Sequence, residues 1–338
     1  MRKFLLGLLI FTISMISMIA QETEEVKEKK FSLSGSVDTY YRANLNGPND
    51  EDAIAPGSSF ANLPGFALGM ANLIVAYEGK KVGFVADLVY GPRGADAVFG
   101  STGSANSVNQ LYAYWNVSDK FTLTMGNFNT FLGYEVISPT ANFNYSTSYL
   151  FSYGPFSHTG IKADIALSEK ASLMFAVMNP TDATEFNPTG NYTFGAQLGF
   201  SGQYLNLVLD GDAFEVDFTG GFNISDAFFF GLNAAYYDDN GVGFAGAAIY
   251  PQLATSDSFT LGFRGEYFAE SGDFGAIGTG VEDSSVFAAT ITGSYAIGDL
   301  TIKPEFRIDN ASEDAFMDND MMATKSLSSV LVAAIYSF

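Results

Sequence analysis

The sequence contains one imidazole, His158, beside Ser157 and six residues before Asp164. A histidine that activates a nucleophile must sit between a hydroxyl and an orienting carboxylate. Adjacent residues of an extended chain point to opposite faces, and six residues of strand span roughly 20 Å. Neither Ser157 nor Asp164 completes the arrangement locally, and Ser152 reaches His158 only if a loop folds back. A hydrolase built on His158 needs a partner from another segment. Without one, His158 is a hydrogen-bonded residue at the root of a loop. With Cys at zero, thiol catalysis, disulfides, zinc–thiolate sites and a lipidated N-terminal Cys are excluded. The acidic run NASEDAFMDND, residues 310–320, could hold Ca²⁺ or Mg²⁺ loosely. It lacks the Gly at the sixth and the Glu at the twelfth position of an EF-hand loop, so a solvated charge run is expected. No phosphate-cradling Gly loop, HExxH or nucleophile elbow occurs. No cofactor and no metal site is expected.

A second set of charges points to selection rather than to bond making. Glu135 is the one acidic residue in 131–156. Lys303, Arg307, Arg264, Lys162 and Arg42 each alternate with apolar neighbours, so all five fall on the polar face of an extended segment. A carboxylate on a loop opposite basic wall residues sets a transverse field across a narrow aqueous passage. Glu135 is expected to face basic wall residues such as Arg307 and Lys303. An exposed loop carboxylate is the plain alternative.

Such an arrangement needs strands, and the period of two supplies them. Phe214, Val216 and Phe218 alternate with Glu215, Asp217 and Thr219; Leu300, Ile302, Phe306 and Ile308 alternate with Thr301, Lys303, Glu305, Arg307 and Asp309. Alternation puts one residue set on each face of a strand. Sixteen strands are expected, near 31–43, 66–78, 80–90, 107–117, 120–130, 157–167, 171–179, 191–200, 203–211, 213–224, 227–237, 241–250, 258–268, 285–297, 299–309 and 325–338; 14 or 18 are the alternatives. Tight turns such as Gly79-Lys80 and Ser118-Asp119-Lys120 alternate with long connections at 44–65, 91–106, 131–156, 180–190, 269–284 and 310–325, with one tight exception at Gly211-Asp212. Short turns on one rim and long loops on the other describe an outer-membrane β-barrel. An even strand number requires that 146–154, although strand-like, belong to the long third loop 131–156. The weakest segment is 251–257, long for a short-side turn.

A soluble β-sandwich alternates as well. Two features favour the membrane. Charges such as Asp87, Lys162, Asp164, Glu215, Glu266 and Glu305 would line an interior while the apolar face turns outward. Aromatic residues also gather at strand ends: Phe31, Trp115, Phe121, Phe200, Phe222, Phe228 and Tyr336 near tight turns, Tyr41, Tyr90, Tyr236 and Tyr267 near long loops. Two girdles explain that distribution.

The ends of the chain agree. Met1-Arg2-Lys3 and the apolar stretch Phe4–Ile19, followed by Ala20, form a secretory signal peptide over 1–20. The polar segment 21–30, QETEEVKEKK, is expected to be a mobile periplasmic tail, and 31–338 the barrel. Val330, Val332, Ala334, Tyr336 and Phe338 share one face; a final strand ending in Phe338 suits the barrel-assembly machinery. The formal charge of −21 opposes binding to a polyanionic phosphate backbone, so no nucleic-acid partner is expected.

Residues 107–163 carry a more specific signal. A Tyr-rich strand is followed by Gly126-Asn127-Phe128, Gly133-Tyr134-Glu135, Asn142-Phe143-Asn144-Tyr145-Ser146, Gly154-Pro155-Phe156 and His158-Thr159-Gly160. Together with Asp38-Thr39-Tyr40-Tyr41 in the first strand, this run resembles the OmpL-like outer-membrane β-barrel porin family. The resemblance implies an all-β transmembrane antiparallel barrel that forms a pore in a Gram-negative outer membrane and carries no cofactor. The expected function is passive diffusion of small hydrophilic solutes past a constriction made by an inward-folded loop 131–156. The acidic balance favours cations. The alternatives are a barrel hydrolase using His158 and a structural or adhesion barrel with a closed lumen. Expected partners are membrane lipids, lipopolysaccharide and two further copies of the chain in a homotrimer.

Overall fold

A computed structural model describes residues 30–338. The expected signal peptide and residues 21–29 of the expected tail lie outside the described residues. Lys30 belongs to the first strand and not to the tail. Sixteen strands form the wall: β1 (Lys30–Asn44), β2 (Gly65–Glu78), β3 (Val82–Tyr90), β4 (Val108–Ser118), β5 (Phe121–Asn129), β6 (Ser157–Ala166), β7 (Ala171–Met178), β8 (Thr193–Phe200), β9 (Gln203–Asp210), β10 (Ala213–Asn223), β11 (Phe228–Asp239), β12 (Val242–Ala254), β13 (Phe259–Ser271), β14 (Ser285–Ile297), β15 (Leu300–Ala311) and β16 (Ser326–Ser337). Each pairs antiparallel with its chain neighbours, and β1 pairs with β16 to close the barrel. Phe338 exchanges backbone hydrogen bonds with Gly35 (3.1 and 3.0 Å), which completes the seam.

Alternation becomes inside and outside. On β13, Arg264 and Glu266 are fully buried within the barrel while Phe263 and Tyr267 face outward. On β2, Leu73 is exposed and its neighbour Asn72 is buried. The same inversion runs round the wall, as a hydrocarbon surround requires. On β9, Leu205 and Leu209 face out and Asn206 faces in. Leu207 shares the outward parity, in the middle of the strand. Leu207→Arg should therefore cost about 2–4 kcal/mol near the midplane, read as the shift in urea unfolding from lipid vesicles. The faces can be checked directly on β6. Asp164→Cys should react with a water-soluble thiol reagent and Ile165→Cys should not, since a one-residue slip would exchange them.

Two details of the connections differ from expectation. Pro251–Ala254 continue β12, so the short-side turn is only 255–258. The ladder to β13 runs from Ile249↔Gly265 to Gln252↔Gly262, with a gap at Pro251, which has no N–H to donate. Pro304 is accommodated in the same way: the β14–β15 ladder is interrupted between Thr292↔Glu305 and Tyr295↔Ile302. The long-loop rim also carries a second tight turn, Asn240-Gly241, with φ of 55° and 90°. Asn-Gly favours this doubly positive turn because Gly has no Cβ and Asn tolerates the left-handed region.

Packing inside the barrel is uneven. A cluster of Phe244, Tyr250, Phe268, Val286 and Leu327 from the wall meets Tyr149 and Leu150 of the segment between β5 and β6. A second cluster joins Phe60, Val89, Val98, Ile137, Phe151 and Phe156. Two short helices take part, α1 (Pro92–Ala97) and α2 (Tyr149–Tyr153). Residues 146–154 thus contain one helical turn and no wall strand.

Candidate functional site

The segment 130–156 leaves β5 and returns to β6 through a closed neck. Thr130 N donates to Phe156 O at 3.0 Å. The hydroxyl of Thr130 meets His158 Nε2 at 3.0 Å and accepts from Leu132 N at 3.1 Å. Asp182, from the next long loop, accepts from Phe156 N and Ser157 N at 2.9 and 2.8 Å. Burial pushes its carboxyl up to about 6, against the lowering effect of those two amides.

Beyond the neck, charged side chains of the wall capture the backbone of the segment. Glu266 on β13 accepts from Tyr149 N and Leu150 N at 3.0 and 2.8 Å. These are first-turn amides of α2, which have no partner within the helix. Ser148 caps the same turn by accepting from Phe151 N at 3.0 Å. Glu305 on β15 accepts from Tyr145 N and Ser146 N at 3.0 and 3.3 Å. Basic side chains take the carbonyls. Arg307 donates to Thr147 O at 2.8 Å, Arg264 to Ser146 O at 2.6 Å, and Lys303 to Pro139 O at 3.1 Å and to Asn142 O. From the first half of the chain, Arg93 of α1 donates to Ile137 O and Tyr145 O, and Tyr145 Oη donates to Asp38 on β1. A segment without regular structure has unpaired backbone groups at every residue. Here acids take the N–H groups, bases take the C=O groups, and charge assistance strengthens both.

Glycines make room for the side chains. A Cβ on Gly262 would fall 2.1 Å from Phe143 Cε1, on Gly231 2.5 Å from Tyr134 Oη, on Gly195 2.6 Å from Phe131 Cζ, and on Gly246 2.9 Å from Leu150 Cδ2. Four strands, β13, β11, β8 and β12, each present a socket to a different large side chain of the segment. Gly262→Val should cost about 1–3 kcal/mol by overpacking. Adding Phe143→Ala should recover most of that loss in a double-mutant cycle on urea unfolding; additive losses would contradict the contact.

The expected site residues separate into two groups. Glu135 Oε1 pairs with Arg264 Nη1 at 2.7 Å, their side chains 3% and 0% exposed. Its other oxygen accepts from Ser148 N and Oγ at 2.7 and 2.5 Å. The expected basic wall partner of Glu135 is thus Arg264, and not Arg307 or Lys303. Lys303 serves carbonyls, and Arg307 binds Asp309 at 2.7 Å as well as Thr147 O. The segment crosses Lys303 with residues 139–142, while residue 135 lies against Arg264 on β13. The carboxylate is enclosed between Arg264 and Ser148. Arg42 donates to Asn44 at 2.8 Å, and Lys162 pairs with Asp164 at 3.0 Å; neither bonds to the segment. The Lys162–Asp164 pair stays 26% and 37% exposed on the opposite side of the lumen.

Several contributors carried no assigned role in the sequence reading. Glu266 and Glu305 were legible as inward by parity, with nothing to say that they bind backbone amides. The socket glycines also sit at inward parity among bulkier neighbours. Arg93 lies in a loop without period and left no signal. His158 packs between Phe128 and Phe131 with ring centroids at 6.3 and 5.1 Å, and its Nδ1 has no hydrogen-bond partner among the described residues. In the acidic run, Asp318 accepts from the amides of Asp320 and Met322, both at 2.9 Å, and Lys325 pairs with Glu313.

Comparison with known proteins places this architecture. The sequence family described as "Putative beta-barrel porin-2, OmpL-like" matches residues 30–338. No curated protein matches the chain. Among solved structures, the outer membrane channel DcaP of Acinetobacter baumannii is 14% identical with a TM-score of 0.64, over 94% of this chain and 100% of its own. An anion-selective porin from Comamonas acidovorans is 12% identical with a TM-score of 0.60, over 92% and 100%. Salmonella typhi OmpF in complex with daunomycin is 10% identical with a TM-score of 0.60, over 92% and 98%. At these identities the likeness is one of fold.

Proposed function

From the membership of this chain in the OmpL-like β-barrel porin family, we propose that it is a passive diffusion channel of the outer membrane whose lumen is narrowed by residues 130–156. The observation that carries this reading is the capture of the segment's backbone by Arg264, Glu266, Lys303, Glu305 and Arg307. That contact holds a loop against one side of the lumen and leaves the β4–β7 side as the path. There Tyr112, Tyr114, Lys162 and Asp164 remain partly exposed. Polar groups of both signs suit small hydrophilic solutes, and the net charge of −21 favours cations. Residues 1–20 direct export, the β16 strand with Phe338 engages the assembly machinery, and the barrel sits among lipids and lipopolysaccharide as a homotrimer.

The test is conductance in planar bilayers. Stepwise currents are expected, with a reversal potential in a KCl gradient of the sign for cation preference. The second reading is a barrel closed across its lumen, acting as a structural or adhesion protein. It is supported by further contacts that tie the segment to other loops: Tyr153 Oη donates to Gly57 O and Ala276 O at 2.9 Å each, and Ser59 N donates to Ser152 Oγ at 2.6 Å. A membrane that stays silent after verified insertion would select that reading. Hydrolase activity would require His158 to work without the carboxylate partner that such chemistry uses.

A further inference from the structure

The basic residues that do not line the lumen are placed very unevenly. Among the described residues, the exposed ones are Lys30, Lys80, Lys81, Lys120, Lys170 and Lys325. Only Lys325 lies on the long-loop side. The other five sit at the start of β1 and on the three tight turns that join β2 to β3, β4 to β5 and β6 to β7. None of the five takes part in a salt bridge among the described residues. The tight turns on the far side of the same rim carry exposed Asp226, Asp257 and Asp299 and no basic residue. The lysine-bearing turns also carry exposed Glu78, Asp119 and Glu169, so the short-turn rim is split into an arc with five lysines against three carboxylates and an arc that is acidic alone. In an outer-membrane barrel this rim faces the periplasm, level with the headgroups of the inner leaflet.

The outer wall above the basic arc is troughed. Ala113 lies between Phe84 and Met125 on the lipid side, and a groove of about 630 Å³ runs over it beside Trp115. Ala163 lies between Leu123 and Phe175, under a second groove of about 420 Å³. The small residue forms the floor and its larger cross-strand neighbours form the sides. Lys81 directly precedes Val82, which pairs with Trp115 at the foot of the first groove. Lys120 directly precedes Phe121 and so stands between the two grooves.

We propose that this arc is a binding site for an anionic glycerophospholipid of the inner leaflet, its phosphate held by Lys80, Lys81, Lys120 and Lys170 and its acyl chains lying in the two grooves. A groove alone accepts any acyl chain, and a row of lysines alone accepts any anion. One above the other, a single residue apart, they select an amphiphile with an anionic head. Lysine stems long enough to lie on the apolar wall while the ammonium reaches the headgroup suit this geometry. The acidic arc opposite repels the same lipid, so binding is confined to one side.

Trp115 is the single tryptophan of the chain, is 50% exposed and borders the first groove, so it reports on the site directly. The protein is reconstituted into phosphatidylcholine vesicles containing either brominated phosphatidylglycerol or brominated phosphatidylcholine at equal mole fraction. Quenching by the brominated anionic lipid should correspond to an association constant about fivefold higher or more, since each lysine near the headgroups contributes on that scale. The preference should fall at high salt, which screens exposed charges, and vanish in the quadruple variant K80Q/K81Q/K120Q/K170Q. That variant keeps its barrel, because these side chains are exposed and make no salt bridge among the described residues, and heat-dependent electrophoretic mobility verifies this. Equal quenching by the two lipids in the unmodified protein would overturn the proposal, as would a preference that survives in the quadruple variant. Equal quenching together with lysine-dependent co-sedimentation with isolated peptidoglycan would overturn it and give these lysines to the cell-wall polymer.

Discussion

Deleting residues 138–150 is expected to raise single-channel conductance several-fold. The deletion takes Phe143, Tyr145, Tyr149 and Leu150 out of the lumen and empties the sockets at Gly262 and Gly246. Tyr145 and Tyr149 are fully buried inside the barrel, so their whole volume becomes available to water. The wall does not depend on them, because its backbone hydrogen bonds run from strand to strand. The charges left behind nearly balance. Arg264, Lys303 and Arg307 are uncovered together with Glu266, Glu305 and Asp309, and Glu135, outside the deletion, stays beside Arg264. The reversal potential should consequently shift little while conductance rises, which separates a geometric effect from an electrostatic one. Unchanged conductance would place the narrowest point of the path elsewhere.

Arg264→Met should lower the stability of the barrel by about 3–5 kcal/mol, the range for breaking a buried ion pair from one side. Arg264 donates at once to Glu135, Ser146 O, Ser146 Oγ and Thr290 Oγ1, at 2.7, 2.6, 3.3 and 3.1 Å. Methionine keeps much of the volume and removes every donor. Glu135 is left as a buried carboxylate with only Ser148 as partner, and most of the loss comes from that uncompensated charge. Adding Glu135→Gln removes the charge and should recover part of the loss, a coupling that urea unfolding in vesicles measures directly. A loss under 1 kcal/mol in the single variant would mean that water reaches the pair and that it is a surface contact. The same variant loosens residues 135–148 from β13, so limited proteolysis should cut there in the variant and not in the unmodified protein.

Period two determines most of the fold. It is a local property: each residue's face follows from its neighbours in the same strand, and a tight turn passes the register to the next strand. The sequence of strands, the inward Arg264, Glu266, Lys303, Glu305 and Arg307 and the outward aromatic residues all follow from that rule. Pro304 fits it too, because the missing N–H costs one rung of one ladder and leaves the faces unchanged. The segment 130–156 has no period, and composition alone made it long, aromatic and poor in charge. Where it runs was decided by contacts between residues from about forty to more than a hundred positions apart. Glu135 meets Arg264 and not Arg307, Phe143 finds Gly262, and Arg93 arrives from a different loop to hold Ile137 and Tyr145. An inward glycine or an inward carboxylate is equally consistent with facing water or a side chain. Only the tertiary structure chooses between them, because a backbone without strand partners must satisfy its N–H and C=O groups on whatever charges the closed wall presents.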